Sequence, residues 1–163
     1  MANHWYKPQI PRKGWQCVDV IDIRDGGDVA VDEASYATCE MCGKEQVRFV
    51  HCLKHDQYDG RLEVGCVCAE HLTNDYANPK ARESKLRNKA IRKSKWLKRK
   101  WRISKKGNPY LNTDGHNLGI YPNKFRPGMW QFHVDGEFSK ESFATMEAAK
   151  LALFEAFWEH LHD

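Results

Sequence analysis

Five of the six cysteines and three of the eight histidines fall between Cys39 and His71, in the stretch CEMCGKEQVRFVHCLKHDQYDGRLEVGCVCAEH. Cys39 and Cys42, with Gly43 behind them, have the spacing of a tight turn that aims two thiolates at one cation. Further on come Cys66, Cys68 and His71, the last two again three apart and able to share one face of a helical turn. Two such pairs of soft and borderline donors suit tetrahedral zinc, and four protein ligands leave the ion a structural task. The expected ligands are Cys39, Cys42, Cys68 and His71, with Cys66 as the alternative fourth donor. His51 and His55, on the intervening run, are outside candidates for a ligand, and the reading preferred for each is a polar strand residue without a metal role. Cys17 has no partner at metal spacing and reads as a buried structural thiol.

The elements that must carry these donors follow from periodicity. Trp15 to Arg24 alternates apolar and polar side chains with β-branched residues and predicts a strand, turned by Asp25-Gly26-Gly27-Asp28, after which Val29 to Tyr36 pairs back. Gln46 to Leu53 is a second β-rich run, and Tyr58-Asp59-Gly60 turns the chain into a third, Arg61 to Val64. Knuckle, hairpin, then a helix opening at the second donor pair is the order of a treble clef. Residues 1–14, broken by Pro8 and Pro11, read as an unanchored lead-in from which Trp5 and Tyr6 could dock.

Cys39-x-x-Cys42-Gly43, the strand Val47-Arg48-Phe49-Val50-His51 and the segment Leu62-Glu63-Val64-Gly65-Cys66-Val67-Cys68-Ala69 resemble a group of bacterial and phage zinc-binding proteins with a Val-Gly-x-x-Cys-Ala signature. The resemblance spans about a third of the chain and implies a treble-clef metal site and a bacterial or mobile-element origin; it brings no reaction with it.

Beyond Asn78-Pro79 the composition changes. Residues 80–106 hold fourteen Lys or Arg and one acid, Glu83, a local charge of +13 in a chain whose total is +4, so the remainder carries −9. Leu86, Ala90, Leu97 and Trp101 recur at helical steps and predict a basic helix with a narrow apolar stripe, stopped by Gly107-Asn108-Pro109. Like charges this dense repel across neighbouring turns, and a polyanion relieves that repulsion. Phosphate contacts are expected from Arg87, Arg92, Lys93, Lys95, Lys98, Arg99, Lys100 and Arg102; Trp96 either stacks on an unpaired base or, by default, packs. Few large apolar residues share the helix, which argues against a membrane partner.

The last third predicts short strands at Tyr110 to Thr113, Asn117 to Tyr121, Met129 to Val134 and Glu137 to Phe143, with Asp135-Gly136 at a hairpin turn. Thr145 caps a helix whose Met146, Ala149, Leu153, Phe157 and Leu161 form one stripe. Trp130, Asp135-Gly136, Phe143 and Ala148-Ala149-Lys150 make this sheet-plus-helix order similar to the small DNA-binding domain of phage-type integrases and plant ethylene-response factors. That likeness implies a sheet face that enters the major groove. The helix-sheet-helix order also looks like a double-stranded RNA-binding domain, but Thr145-Met146-Glu147 lacks the lysine pair that family sets on phosphates.

The expected fold class is therefore α+β: residues 1–79 with N-terminal strands and a treble-clef zinc module, 80–106 a basic linking helix, and 107–163 an antiparallel sheet covered by one helix. Hydrophobic residues at 41% suffice for a core of that kind. The N-terminus has no apolar signal core and no run is long enough to cross a bilayer, so the cysteines read as reduced and the protein as cytoplasmic. The expected function is a zinc-stabilised accessory protein that binds nucleic acid, duplex DNA ahead of RNA, with an adaptor for an acidic partner protein as the alternative. Lys54-His55-Asp56, Gly60-Arg61 and Cys66 are also similar to HNH and junction-resolving endonucleases, which would make His55 a general base with Asn74 or Asp75 near a catalytic metal. Lys54 stands where an acid would serve a divalent cation, so binding is expected over catalysis.

Overall fold

The computed structural model describes residues 3–24 and 36–163, in two compact units, Met1–Ala90 and Ile91–Asp163. The expected turn at Asp25 to Asp28, and all of the returning segment Val29 to Tyr36 except Tyr36 itself, lie outside the described residues.

The first unit is built on three antiparallel strands in the order β1 (Gln16–Asp22), β2 (Phe49–His55), β3 (Tyr58–Val64). The central strand is buried from Phe49 to Leu53, as its place between two neighbours and beneath a helix requires. That helix, α1 (Cys66–Thr73), opens directly after β3 and turns Ala69 and Leu72 onto Leu53, Leu62 and Val64. It closes at Asn74, a left-handed residue (φ 54°) whose N–H returns to the Glu70 carbonyl.

The lead-in is anchored, contrary to expectation. The His4 amide donates to the Met41 carbonyl at 2.7 Å, Ile10 is buried, and Trp15 Nε1 donates to the Pro11 carbonyl at 2.6 Å. Beyond one 3₁₀ turn at His4–Tyr6 the two prolines keep the lead-in irregular, but an irregular segment can still dock through single apolar side chains. Cys17 is half-buried rather than buried, its Sγ 3.4 Å from the Asp19 carbonyl at an irregularity in the β1–β2 register. The turn from β2 to β3 also comes earlier than its sequence suggests: Tyr58 already pairs with His55, and Gly60 (φ 90°) lies within β3.

The basic helix, α2, runs Asn78–Trp96. Asp75 caps it, accepting from the amides of Ala77 and Asn78 at 3.1 and 3.0 Å. Bonds from Asn78 backbone and side chain, then from the Ala77 amide, hold the Asp75 carboxyl below the usual range. The helix stops ten residues short of its expected end. Trp96 is fully buried, the chain turns behind it, and β4 (Arg102–Ile103) pairs with β5 (Pro109–Thr113). Burial of one indole thus overrides the helical propensity of the lysines and arginines beyond it. The stripe differs accordingly: Trp96 is inside, while Leu97 is 41% exposed.

In the second unit β4 and β5 continue into β6 (His116–Pro122), β7 (Trp130–Val134) and β8 (Glu137–Phe138), five antiparallel strands in sequence order. The predicted return strand from Glu137 to Phe143 is reduced to β8 plus one bridge between Trp130 and Phe143. α3 (Met146–His160) covers one face, with Ala149, Leu153, Phe154, Phe157 and Trp158 buried against Leu111, Leu118, Ile120 and Val134. Thr145 Oγ1 caps it by accepting from the Ala148 amide at 3.1 Å. No helix of the described residues is long and apolar enough to cross a membrane.

Candidate metal centre and basic surface

The loop before β2 and the first turn of α1 bring three cysteines together: the sulfurs of Cys39, Cys42 and Cys68 all lie within 4.8 Å of one another. Local hydrogen bonds explain why the loop adopts this shape. The Gly43 amide donates to the Cys39 carbonyl at 2.8 Å, the Cys39 amide to the Lys44 carbonyl at 2.9 Å, and Gly43 takes the positive φ of 74° that reverses the chain. The Glu40 amide then ties the loop to the Glu63 carbonyl of β3 at 2.9 Å.

The site is built to carry negative charge. A hydrogen bond from Cys68 holds the Cys39 thiol far below its ordinary range, and the amides of Cys42, Gly65 and Met41 add to that against the opposing effect of burial. The hydrogen bond to Cys39, burial and the adjacent sulfurs push Cys68 upward in turn. One proton therefore sits where a cation would sit. The residues present fit zinc: three thiols converge, and backbone N–H groups beside Cys39 favour its thiolate form.

His71 is not in this group. It lies on the exposed side of α1, its Nδ1 3.1 Å from the Tyr76 hydroxyl and its ring edge-on to Trp5 and Tyr76. Spacing allowed Cys68 and His71 to share a helix face, but the knuckle meets α1 at its first turn and His71 is nearer its end. Cys66 is not in the group either; its sulfur falls in with His51 and Glu83.

Cys39, Cys42, Cys66, Cys68 and Glu83 line one cavity of about 470 Å³, with Arg24, Lys44, Arg48 and Arg87 also on its wall. Arg48 is positioned by Asp22, its Nε and Nη2 donating to the two carboxylate oxygens at 2.9 and 2.8 Å. Burial raises the Asp22 carboxyl, but the bonds from Arg48 and from the Arg24 amide outweigh it and leave the group below the usual carboxylate range. A lowered folded-state value contributes stability above the unfolded pKa of about 3.9 and loses it as pH falls through the folded value. Asp22→Asn is therefore expected to cost about 1.5–3 kcal/mol at neutral pH and progressively less as the pH falls below about 3.9, as urea titrations across that range will show.

His55 packs against Trp15, ring centroids 5.3 Å apart, and its Nδ1 accepts from the Gln57 amide at 3.0 Å. Asn74 closes α1 and Asp75 caps α2.

Compared with family models, curated proteins and solved structures, the chain matches none.

The eight basic residues expected to meet phosphate divide into two sets. Arg92 bonds Asp114 at 2.6 Å and lies over Phe157, Lys93 pairs with Glu155 at 2.6 Å, and Arg99 reaches Thr113 Oγ1 and covers the Trp96 ring. These three help to build the second unit. Arg87, Lys95, Lys98, Lys100 and Arg102 are exposed. Trp96 packs: it is fully buried, donates Nε1 to the Lys150 carbonyl at 2.7 Å and contacts Phe154, Phe157 and Trp101.

Sequence reasoning did not single out the open face of the second sheet as a cavity. Tyr110, Asn117, Tyr121, Gln131, His133 and Phe138 line about 1010 Å³ there, with Lys105, Lys106 and Lys124 alongside. Gly119 at its floor leaves room for the His133 ring lying across it; a Cβ there would push that ring aside. Burial lowers the His133 pKa against the opposing charge of Asp135 and so favours the neutral ring. The signal was present in the alternation of β6, where Leu118 and Ile120 face the core and Asn117, Gly119 and Tyr121 do not.

Proposed function

We propose that this protein is a zinc-stabilised, nucleic-acid-binding accessory protein in which a treble-clef module holds the metal and a basic segment holds the phosphates. The observation that carries the reading is charge segregation: +13 in residues 80–106 against −9 elsewhere, with five of the expected phosphate ligands exposed. Duplex DNA is the preferred partner, its regular phosphate spacing suited to a row of lysines and arginines. The open sheet face, polar and aromatic with three lysines beside it, is suited to reading base edges once the phosphates have set the register.

Because Arg99 also supports Trp96, the cleaner test neutralises exposed residues only. Lys95→Ala, Lys98→Ala and Lys100→Ala together are expected to weaken binding about evenly across duplex sequences. They should also reduce the slope of log affinity against log salt by roughly 2–3. Salt titrations of the parent and the triple variant against duplex DNA, single-stranded DNA and RNA supply the measurement. Unchanged affinity and slope would count against the role of this segment, and binding confined to an acidic protein would favour the adaptor reading.

A further inference from the structure

We propose that His51, Cys66 and Glu83 form a second metal site, separate from the three-cysteine centre and suited to Zn²⁺. The three donors come from three different elements, β2, α1 and α2, and one ligand atom of each lies within 4.8 Å of the others. His51 is 0% exposed, in the middle of the central strand. Its Nε2 is 3.0 Å from Glu83 Oε1, whereas its Nδ1 has no hydrogen-bond partner among the described residues. Two donors held at about 2.0–2.1 Å by one tetrahedral ion lie roughly 3.3 Å apart, so the imidazole and the carboxylate are already near ligand spacing.

Glu83 supplies an independent reason. It is the one acid among fifteen charged residues between 80 and 106, and it is turned toward a buried histidine and a half-buried thiol. There it partners the ring of the buried His51, and with the Cys66 sulfur it completes a donor set for a cation. The neighbouring carboxylate, Glu70, is drawn toward Lys80 Nζ at 3.3 Å, and its Oε1 is 4.0 Å from Cys66 Sγ. One imidazole nitrogen, one thiolate and one carboxylate form a mixed donor set that zinc accepts, with one tetrahedral position left for water or an exogenous ligand. Cys66 and Glu83 both line the 470 Å³ cavity, which gives such a ligand a way in. Binding zinc releases the thiol proton to solvent, and no electron moves.

The test uses the full chain, purified without added metal and then titrated with zinc alone. Two equivalents are expected for the parent protein. Glu83→Gln and Cys66→Ser should each bind one, with circular dichroism unchanged because the three-cysteine centre is intact. Zinc-edge absorption of the parent protein needs no variant and reads the donors directly: a shell of sulfur mixed with nitrogen and oxygen is expected at two equivalents. A parent protein that saturates at one equivalent, or variants that fold and still bind two, would overturn the proposal.

Discussion

Chelating the zinc that we propose at Cys39, Cys42 and Cys68 is expected to unfold the Met1–Ala90 unit while the Ile91–Asp163 unit stays folded. The loop that carries two of these sulfurs also places Met41, fully buried, in the first core, and it receives the N-terminal lead-in through the His4 amide. Without a cation the loop brings three cysteine sulfurs within 4.8 Å of one another, an arrangement that favours negative charge at Cys39 with no cation to neutralise it. Structural zinc contributes about 10–16 kcal/mol in small modules, as much as the whole stability of an ordinary domain, about 5–15 kcal/mol. Cys68→Ser should act in the same direction with a smaller loss. Hydrogen exchange read by mass spectrometry separates the two units: protection should vanish from β1 to α1 and persist from β5 to α3. Full protection in the first unit after the chelator has demonstrably removed the ion would sink the structural role.

The second large effect belongs to Trp96. Replacement by Ala is expected to destabilise the Ile91–Asp163 unit by about 3–5 kcal/mol through the cavity it leaves among Phe154, Phe157 and Trp101. Roughly 0.5–1.5 kcal/mol more follows from losing the part-buried bond of Nε1 to the Lys150 carbonyl. Trp96→Phe restores much of the packing but not the hydrogen bond, so it should fall between the two. Urea unfolding of the second unit provides the measurement, and a loss below about 1 kcal/mol for Trp96→Ala would contradict the packing described. Because the ring is fully buried, Trp96→Phe should leave nucleic-acid affinity unchanged wherever the unit is folded.

The short-range features were legible because their causes are short-range. The Cys-x-x-Cys-Gly turn, the alternation of β1 and β6, the Thr145 cap and the apolar stripe of α3 each depend on residues a few positions apart. Sequence alone therefore determined an α+β chain with a cysteine cluster able to hold a metal, a basic segment, and a C-terminal sheet covered by one helix. Tertiary structure decided which donors meet. Spacing favoured His71 over Cys66 as the fourth donor, but the direction in which α1 leaves β3 sends Cys66 toward His51 and Glu83 and leaves His71 beside Trp5 and Tyr76. It decided the end of α2 as well, since burial of Trp96 among residues some fifty to sixty positions later outweighed local helical preference. The same long-range packing sorted the basic residues: Asp114, Glu155 and Thr113 draw Arg92, Lys93 and Arg99 into the fold, a choice that no local pattern encodes.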